Sequence, residues 1–399
     1  MNQLAIETHR GRQAFATLRA EWQALFIASA APPFLSWEWM TAWQQQFGGD
    51  VTPLVICARA AEGQLVGLLA LGEQLIAGRA GMRVRRLAFL GEGEGAADYL
   101  DVLARPEDQQ ACARAIYEYL AAQRSFDLLE LDGLAADSPN LPMLMWCFDK
   151  RTDYRLDLQP RWPCPRLQLP DDEGEIINRS PRGREFQRNL RKLQKLPGFA
   201  HRAVTDADEA PEAFERFLSL HQANWAGRAE PSAFAHPARQ RFHRELVQPL
   251  ARAGLLRFEE IWIEGACRAS LYAQQSGDSL YFYLSGWQPE WARHSIGFML
   301  RGLVITSAIR RGLRCCDFLR GAEKYKFDWA SDSRGTLAVR ISSRSVPARL
   351  HLLREQFETT ARTLLPQRTI SALGRLRLAF GKTVPRIAPA PALTEASGS

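Results

Sequence analysis

Apolar positions along the chain run through the same succession of periods twice. Phe15, Leu18, Trp22, Leu25 and Phe26 recur at helical spacing and predict a helix over 13–28, which the prolines of APPF end. SWEWMTAWQQQF predicts a second, aromatic-rich helix over 36–47. Strand-like runs follow at 54–59, 64–74 and 84–90, the first two joined by AAEG and the third leading into the Gly-rich EGEGAADY. Pro106 opens a helix to residue 123, and 126–131 reads as a strand.

The second half repeats this order, with helices over 213–225 and 236–253 and strands over 255–263, 266–274 and 278–286. A helix over 296–311 and a closing strand over 314–319 complete it. Glu62-Gly63 and Glu264-Gly265 occupy equivalent hairpin turns, and Asp132-Gly133 and Arg320-Gly321 close equivalent final strands. The pattern therefore predicts two copies of one α/β unit. Residues 1–158 form the first and 179–345 the second. Residues 159–178, with Pro160, Pro163, Pro165, Pro170 and the acidic DDEGE, read as a linker. Two basic amphipathic helices are expected over 346–380 and a disordered tail over 381–399.

A length of 399 residues exceeds what one core usually organises, in keeping with two units. Seven cysteines, an odd number without C-x-x-C, indicate neither a disulfide framework nor a zinc knuckle, so a reducing compartment, the cytoplasm, fits. The N-terminus is polar and no apolar run reaches about 18 residues, so neither a signal peptide nor a membrane span is expected. The net charge of +7 is uneven: residues 179–202 carry +7 and 340–386 carry +8, leaving the remainder acidic.

Several clusters carry candidate chemistry. After strand 278–286, the loop WQPEWARHS enters a helix at Ser295, Ile296 and Gly297, where free backbone N–H groups and the helix dipole suit a pyrophosphate; the alternative is that Ser295 is a plain N-cap. Just past the last strand, DFLRGAEKYKFDWA offers Lys326 to stabilise an oxyanion or hold phosphate and Tyr325 to return a proton to a thiolate. Tyr325, Phe327 and Trp329 also alternate as one face of a plain edge strand would. In RSPRGREFQRNLRKLQK, Arg184, Arg188, Arg191 and Lys195 make one basic stripe if helical, fit for an anionic acceptor or merely solvated. Its few aromatics speak against nucleic acid, and no DNA partner is expected. HQANWAGR sets His221 beside Trp225 on one helical face, as a general base or a packed core histidine, with Arg228 following. No histidine spacing suggests a metal, and no G-x-S-x-G or Walker loop occurs.

The combination of RNLRK, HQANW-x-x-R, SIGFMLRGLVITSAIRRGL and CDFLRGAEKYKFDW resembles the CelD-like acetyltransferases of cellulose and exopolysaccharide biosynthesis, a branch of the GNAT superfamily related to the FemABX peptidyl transferases. In the first half PFLSWEWMTAWQQQFG, GQLVGLLAL, RRLAFLGEG and DYLDVL look similar to the same family, and the resemblance covers about residues 15–340. It implies tandem GNAT-like (acyl-CoA N-acyltransferase) units, each a mixed sheet flanked by helices, with acetyl-CoA as donor and a glycan or nucleotide-sugar acceptor. Lys326 and Tyr325 would then be catalytic, Ser295 to Gly297 would hold the donor, and Arg188, Arg191, Trp225, Arg228 and Arg320 the acceptor. ARHSIGFM departs from the usual acyl-CoA signature, with Arg293 three residues before Gly297 and Phe298-Met299 after it. Aminoacyl transfer from charged tRNA, as in FemABX proteins, is therefore the alternative, and a non-catalytic glycan-assembly binding protein a third. Asp98, Tyr99 and Asp101 would repel CoA phosphates, so the first unit is expected to be a degenerate copy shaping the acceptor groove. The basic C-terminal helices are expected to give peripheral contact with the inner face of a membrane.

Overall fold

Both rounds of elements form in the predicted order. The computed structural model of the protein describes residues 4–78, 82–93, 97–149, 151–180, 182–227 and 231–364, without the side chains of 179 and 357–364. The first round comprises β1 (Ala5–Arg10), α1 (Gln13–Ser29), α2 (Trp37–Phe47), β2 (Thr52–Arg59), β3 (Leu65–Ala77), β4 (Arg83–Phe89), β5 (Leu103–Ala104), α3 (Gln109–Gln123), β6 (Leu128–Ala135), α4 (Leu141–Phe148) and β7 (Tyr154–Gln168). Next come α5 (Glu173–Arg179), α6 (Gly183–Leu193), β8 (Ala200–Val204), α7 (Ala210–Trp225), α8 (Pro237–Arg252), β9 (Leu256–Ile263), β10 (Ala266–Ser276) and β11 (Ser279–Trp287). The round closes with α9 (Ile296–Arg310), β12 (Cys315–Asp317) and β13 (Asp332–Ser343), and α10 (Val346–Leu364) follows. Ser36 fixes the start of α2 by accepting from the Trp39 N–H.

One mixed sheet carries both units, in the order β1-β2-β3-β4-β6-β13-β7-β12-β11-β10-β9-β8, with β5 on β3. In each round four antiparallel strands are followed by a helical crossover to a parallel fifth, β6 beside β4 and β12 beside β11. The last strands are then exchanged. β7, from the first round, pairs with β12, whereas β13, from the second, pairs with β6, and β7 and β13 pair with each other.

This arrangement corrects the expected linker: residues 159–168 are sheet, the second part of β7, which lies between β13 and β12 in the strand order. Their prolines fit because N–H and C=O of one strand residue point to the same edge. The carbonyls of Pro163 and Pro165 accept from Gly321 and Phe318 on the edge where β12 has already ended, so no ladder partner waits for the missing N–H groups.

Helices α1, α2, α7 and α8 pack into one core that spans both units, with Trp39 of α2 edge-on to Phe242 of α8 at 5.3 Å. On the second unit α5, α6 and α9 cover the opposite face. The first expected basic helix, α10, is not a free arm. Leu352 packs against Ile76, Val84 and Leu128, and Glu355 pairs with Arg340 at 2.9 Å. Residues 365–380 and the tail over 381–399 lie outside the described residues. Among the described residues no helix is long and apolar enough to cross a membrane.

Candidate active site

Strands β11 and β12 pair only over Ser279–Tyr281 and Cys315–Asp317. Past that point β11 runs on to Trp287, while the chain after Asp317 turns along β7 through left-handed Leu319 (φ 58°) and Gly321 (φ 119°). An opening results, closed at its base by Phe282 against Phe318 at 4.9 Å. β11 is also bulged there. Its register with β10 passes from Tyr272↔Leu284 to Ala273↔Phe282, so Tyr283 stands opposite no residue. A bulge bends a strand and re-aims its side chains, and bulges gather near active sites. The corresponding pair in the first unit, β3 and β4, keeps an unbroken register.

Behind Tyr283 lies a buried chain of polar rings. The Tyr283 hydroxyl is 3.2 Å from Nε2 of His243, whose Nδ1 is 3.2 Å from the Tyr272 hydroxyl. Burial pushes the His243 pKa well below its ordinary value. The neutral ring then donates through one nitrogen and accepts through the other, which gives the chain a direction. Burial likewise raises the Tyr283 phenol, which stays protonated at neutral pH.

On the other side of the opening, the expected catalytic pair occupies a 3₁₀ turn, Lys324–Lys326, and not an edge strand. Lys326 is buried, and its ammonium donates to the carbonyls of Arg320 (2.6 Å) and Leu319 (3.3 Å) and meets Glu323 at 3.0 Å. Three donors with three partners leave none for an oxyanion, so in this arrangement Lys326 is a positioning residue. Tyr325 lies with its ring 4.4 Å from the guanidinium of Arg301 on α9. The residue as a whole is 40% exposed, yet burial around the phenol pushes its pKa up to about 12.

Arg320, expected on the acceptor, instead reaches into the first unit, bonding Asp98 at 2.5 Å and the carbonyl of Ala97. Next to it Asp317 accepts from the Tyr99 hydroxyl at 2.9 Å and the Leu319 N–H at 2.8 Å, and burial pushes its pKa up to about 6. Asp98 and Tyr99 therefore brace the β12 end of the opening. Asp101 turns away to Ser138 and the Val102 N–H.

Ser295 (φ 51°), Ile296 and Gly297 form the first turn of α9, and Ser295 makes no side-chain cap. Trp287 packs on that turn so closely that a Cβ on Gly297 would come within 3.0 Å of its ring. This glycine is explained by the tryptophan, and the first turn is partly covered. Arg188 and Arg191 are exposed on α6. Trp225 stacks near His221 at 5.9 Å, and His221 Nδ1 lies 2.9 Å from the carbonyl of Ser285, which anchors α7 to β11. Arg228 lies outside the described residues. The structure thus brings Tyr325, Lys326 and Arg320 together at one rim. The loop of Ser295 to Gly297 follows β11 on the other side, and Arg188 and Arg191 lie on α6. Sequence reasoning missed Tyr283, because a bulge leaves no mark in the alternation of residues. It also missed Asp317 and Arg301, which lie inside the quoted motifs without any spacing to single them out.

In the first unit a buried ion-pair network crosses the paired stretch of β4 and β6. Buried Arg86 bonds Glu130 at 2.6 Å and Glu92 at 2.5 Å, and Glu130 also meets Arg340. Among the described residues no group of His, Cys, Asp and Glu could hold a metal ion.

Residues 181–327 match the family described as the acetyltransferase (GNAT) domain. Among solved structures, FemX has a TM-score of 0.54 at 10% identity, covering 80% of this chain and 95% of FemX. The C-terminal domain of a putative lysylphosphatidylglycerol synthetase from Agrobacterium fabrum scores 0.51 at 10% identity, covering 86% of this chain and 96% of its own. A conserved protein of unknown function from Bacteroides thetaiotaomicron scores 0.51 at 9% identity, covering 86% and 100%. No curated protein matches the sequence. The chain has a GNAT-like α/β fold, and the segment that matches the acetyltransferase (GNAT) domain lies in its second half.

Proposed function

We propose that the second unit transfers acetyl from acetyl-CoA to an amine or hydroxyl of a glycan or nucleotide-sugar acceptor in the cytoplasm, while the first unit shapes the acceptor groove. The observation that carries this reading is the opening between β11 and β12 with its bulge at Tyr283, inside the segment that matches the acetyltransferase domain. A thioester in the opening would be attacked directly by the acceptor, a reaction that needs chiefly positioning and electrostatic support. Tyr283 and Tyr325 are both phenols held protonated at neutral pH; as the C–S bond breaks and the new C–N or C–O bond forms, one of them gives its proton to the departing thiolate, and the proton shed by the acceptor returns to that phenolate. Arg188, Arg191, Trp225 and Arg228 remain the residues for the acceptor, and the basic C-terminal segment would hold the protein at an anionic membrane. Titrating the protein with acetyl-CoA and following heat, then thiol release with candidate acceptors, tests the reading. No binding at millimolar acetyl-CoA removes it.

A second reading, aminoacyl transfer from charged tRNA, is favoured by one observation: Trp287 covers the first turn of α9, where CoA phosphates would be expected. The fold shared with FemX is compatible with it. Transfer of a labelled amino acid from charged tRNA, with no heat from acetyl-CoA, would select this reading. Ligand binding without turnover on either donor would select the binding protein.

A further inference from the structure

Arg301, in the second turn of α9, is only 6% exposed, yet its Nε has no hydrogen-bond partner and it forms no ion pair among the described residues. Asp328, the acid whose charge acts on it, is engaged by Arg182 at 2.9 Å. Among the described residues the aromatic face over its guanidinium is that of Tyr325, at 4.4 Å. A buried guanidinium left without an anion carries a large desolvation penalty, and such groups are retained where a ligand supplies the missing charge.

Its place in the fold says which ligand. Helix α9 follows β11 and the turn of Tyr325 follows β12, so the Arg301–Tyr325 contact spans the two elements flanking the opening. Helix α6 packs beside it through Phe186, whose ring lies where a Cβ on Gly302 would be. Exposed Arg184, Arg188 and Arg191 ride on α6, and Arg182 precedes it. The planar fork of a buried guanidinium matches the oxygens of a phosphoryl group, and the exposed arginines of α6, on the face turned away from Phe186, add a positive field without touching Arg301.

We propose that Arg301 receives a phosphoryl group of the acceptor, such as the pyrophosphate of a nucleotide sugar, with the Tyr325 ring as its movable cover. This rests on the acceptor class proposed above, not on the identity of the donor.

The test compares the full-length protein with Arg301→Met by thermal denaturation and calorimetry, using inorganic pyrophosphate, UDP-N-acetylglucosamine, glucuronate and acetyl-CoA as separate probes. The expected result is an unliganded variant as stable as the wild type or more so, because an unpaired buried charge is gone. Its affinity for pyrophosphate and for the nucleotide sugar should fall at least tenfold, with acetyl-CoA binding unchanged. Arg301→Lys should bind with intermediate affinity, and it carries the test if the methionine variant does not fold. The proposal is overturned if the nucleotide sugar and pyrophosphate fail to bind the wild type, or bind the variants as well as the wild type. It is overturned equally if glucuronate binds in place of pyrophosphate, or if only acetyl-CoA binding is lost. Failure of the acetyl-transfer reading is separate, since it shows as absence of acetyl-CoA binding to the wild type.

Discussion

Lys326 donates to the main-chain carbonyl of Arg320 at 2.6 Å, and this bond ties the aromatic turn after β12 to the rim of the opening. The side chain of Arg320 continues into the first unit to Asp98. A lysine buried in one unit thereby fixes the backbone of an arginine that holds the other.

Replacing Lys326 with Met would strand two carbonyls that now share its ammonium. A buried acceptor left unsatisfied costs roughly 1–3 kcal/mol, so a loss of about 2 kcal/mol is expected in urea denaturation, with turnover reduced through displacement of the rim. Glu323→Gln, which leaves the buried ammonium without its anion while keeping an acceptor in place, should also cost stability, by about 1 kcal/mol. Unchanged stability together with abolished turnover in Lys326→Met would return Lys326 to a direct chemical role.

Asp317 gives the fold a pH dependence of definite sign. Burial lifts its pKa from the ordinary 3.8 to about 6, so between those values the folded state binds more protons than the unfolded state. Stability from this group is fully present below the ordinary carboxylate pKa and is lost as pH rises through about 6, a fall of about 3 kcal/mol. Asp101 and Glu92 are raised in the same way and add to the wild-type slope. The difference between wild type and Asp317→Asn therefore isolates the contribution. The asparagine variant should gain relative stability from pH 4 to 7, measured by urea denaturation across that range; parallel curves would contradict the assignment.

How far the sequence revealed this architecture depended on whether a feature was local. Ser36 as a cap, Phe15 to Phe26 as one helical face and the Glu-Gly turns are written in spacing and turn chemistry, and the elements form where those signals place them. Strand β7 was hidden by Pro160, Pro163 and Pro165, because only the ending of β12 at Asp317 makes their missing N–H groups harmless, and that is a tertiary fact. Tyr325, Phe327 and Trp329 alternate as strand residues do, yet Lys326 closes their backbone into a turn. In the candidate site, Lys326 and Tyr325 were visible as types, but their partners Leu319, Arg320 and Arg301 were not, since the contacts join separate elements.

Two glycines near the opening should respond differently to a methyl group. A Cβ on Gly286 would lie 2.3 Å from the backbone nitrogen of His221 and 2.5 Å from its Cα, atoms of α7 that cannot rotate away. Gly286→Ala should therefore cost about 3 kcal/mol or more as α7 is pushed from β11. In Gly297→Ala the nearest atoms are those of the Trp287 ring, at 3.0 Å, a side chain that can swing, so a loss of about 1 kcal/mol is expected. Displacing that ring also uncovers the first turn of α9, and acetyl-CoA affinity in Gly297→Ala should be equal to wild type or higher. Equal stability losses in the two variants would show that α7 and Trp287 yield alike.

The exchange of β7 and β13 makes the two units dependent on each other. A fragment of residues 179–345, bounded as sequence periodicity suggests, contains β12 and β13 but neither β6 nor β7. It would therefore expose β12 along one edge and leave β13 with no neighbouring strand at all. Such open edges favour association over folding. The fragment alone should be aggregated or lack near-UV circular dichroism, and co-expression with residues 1–178, which supply β6 and β7, should recover a soluble complex that copurifies. A monomeric, cooperatively unfolding 179–345 fragment would show that the second unit holds its own sheet, and that the exchanged strands dock two finished domains instead of completing them.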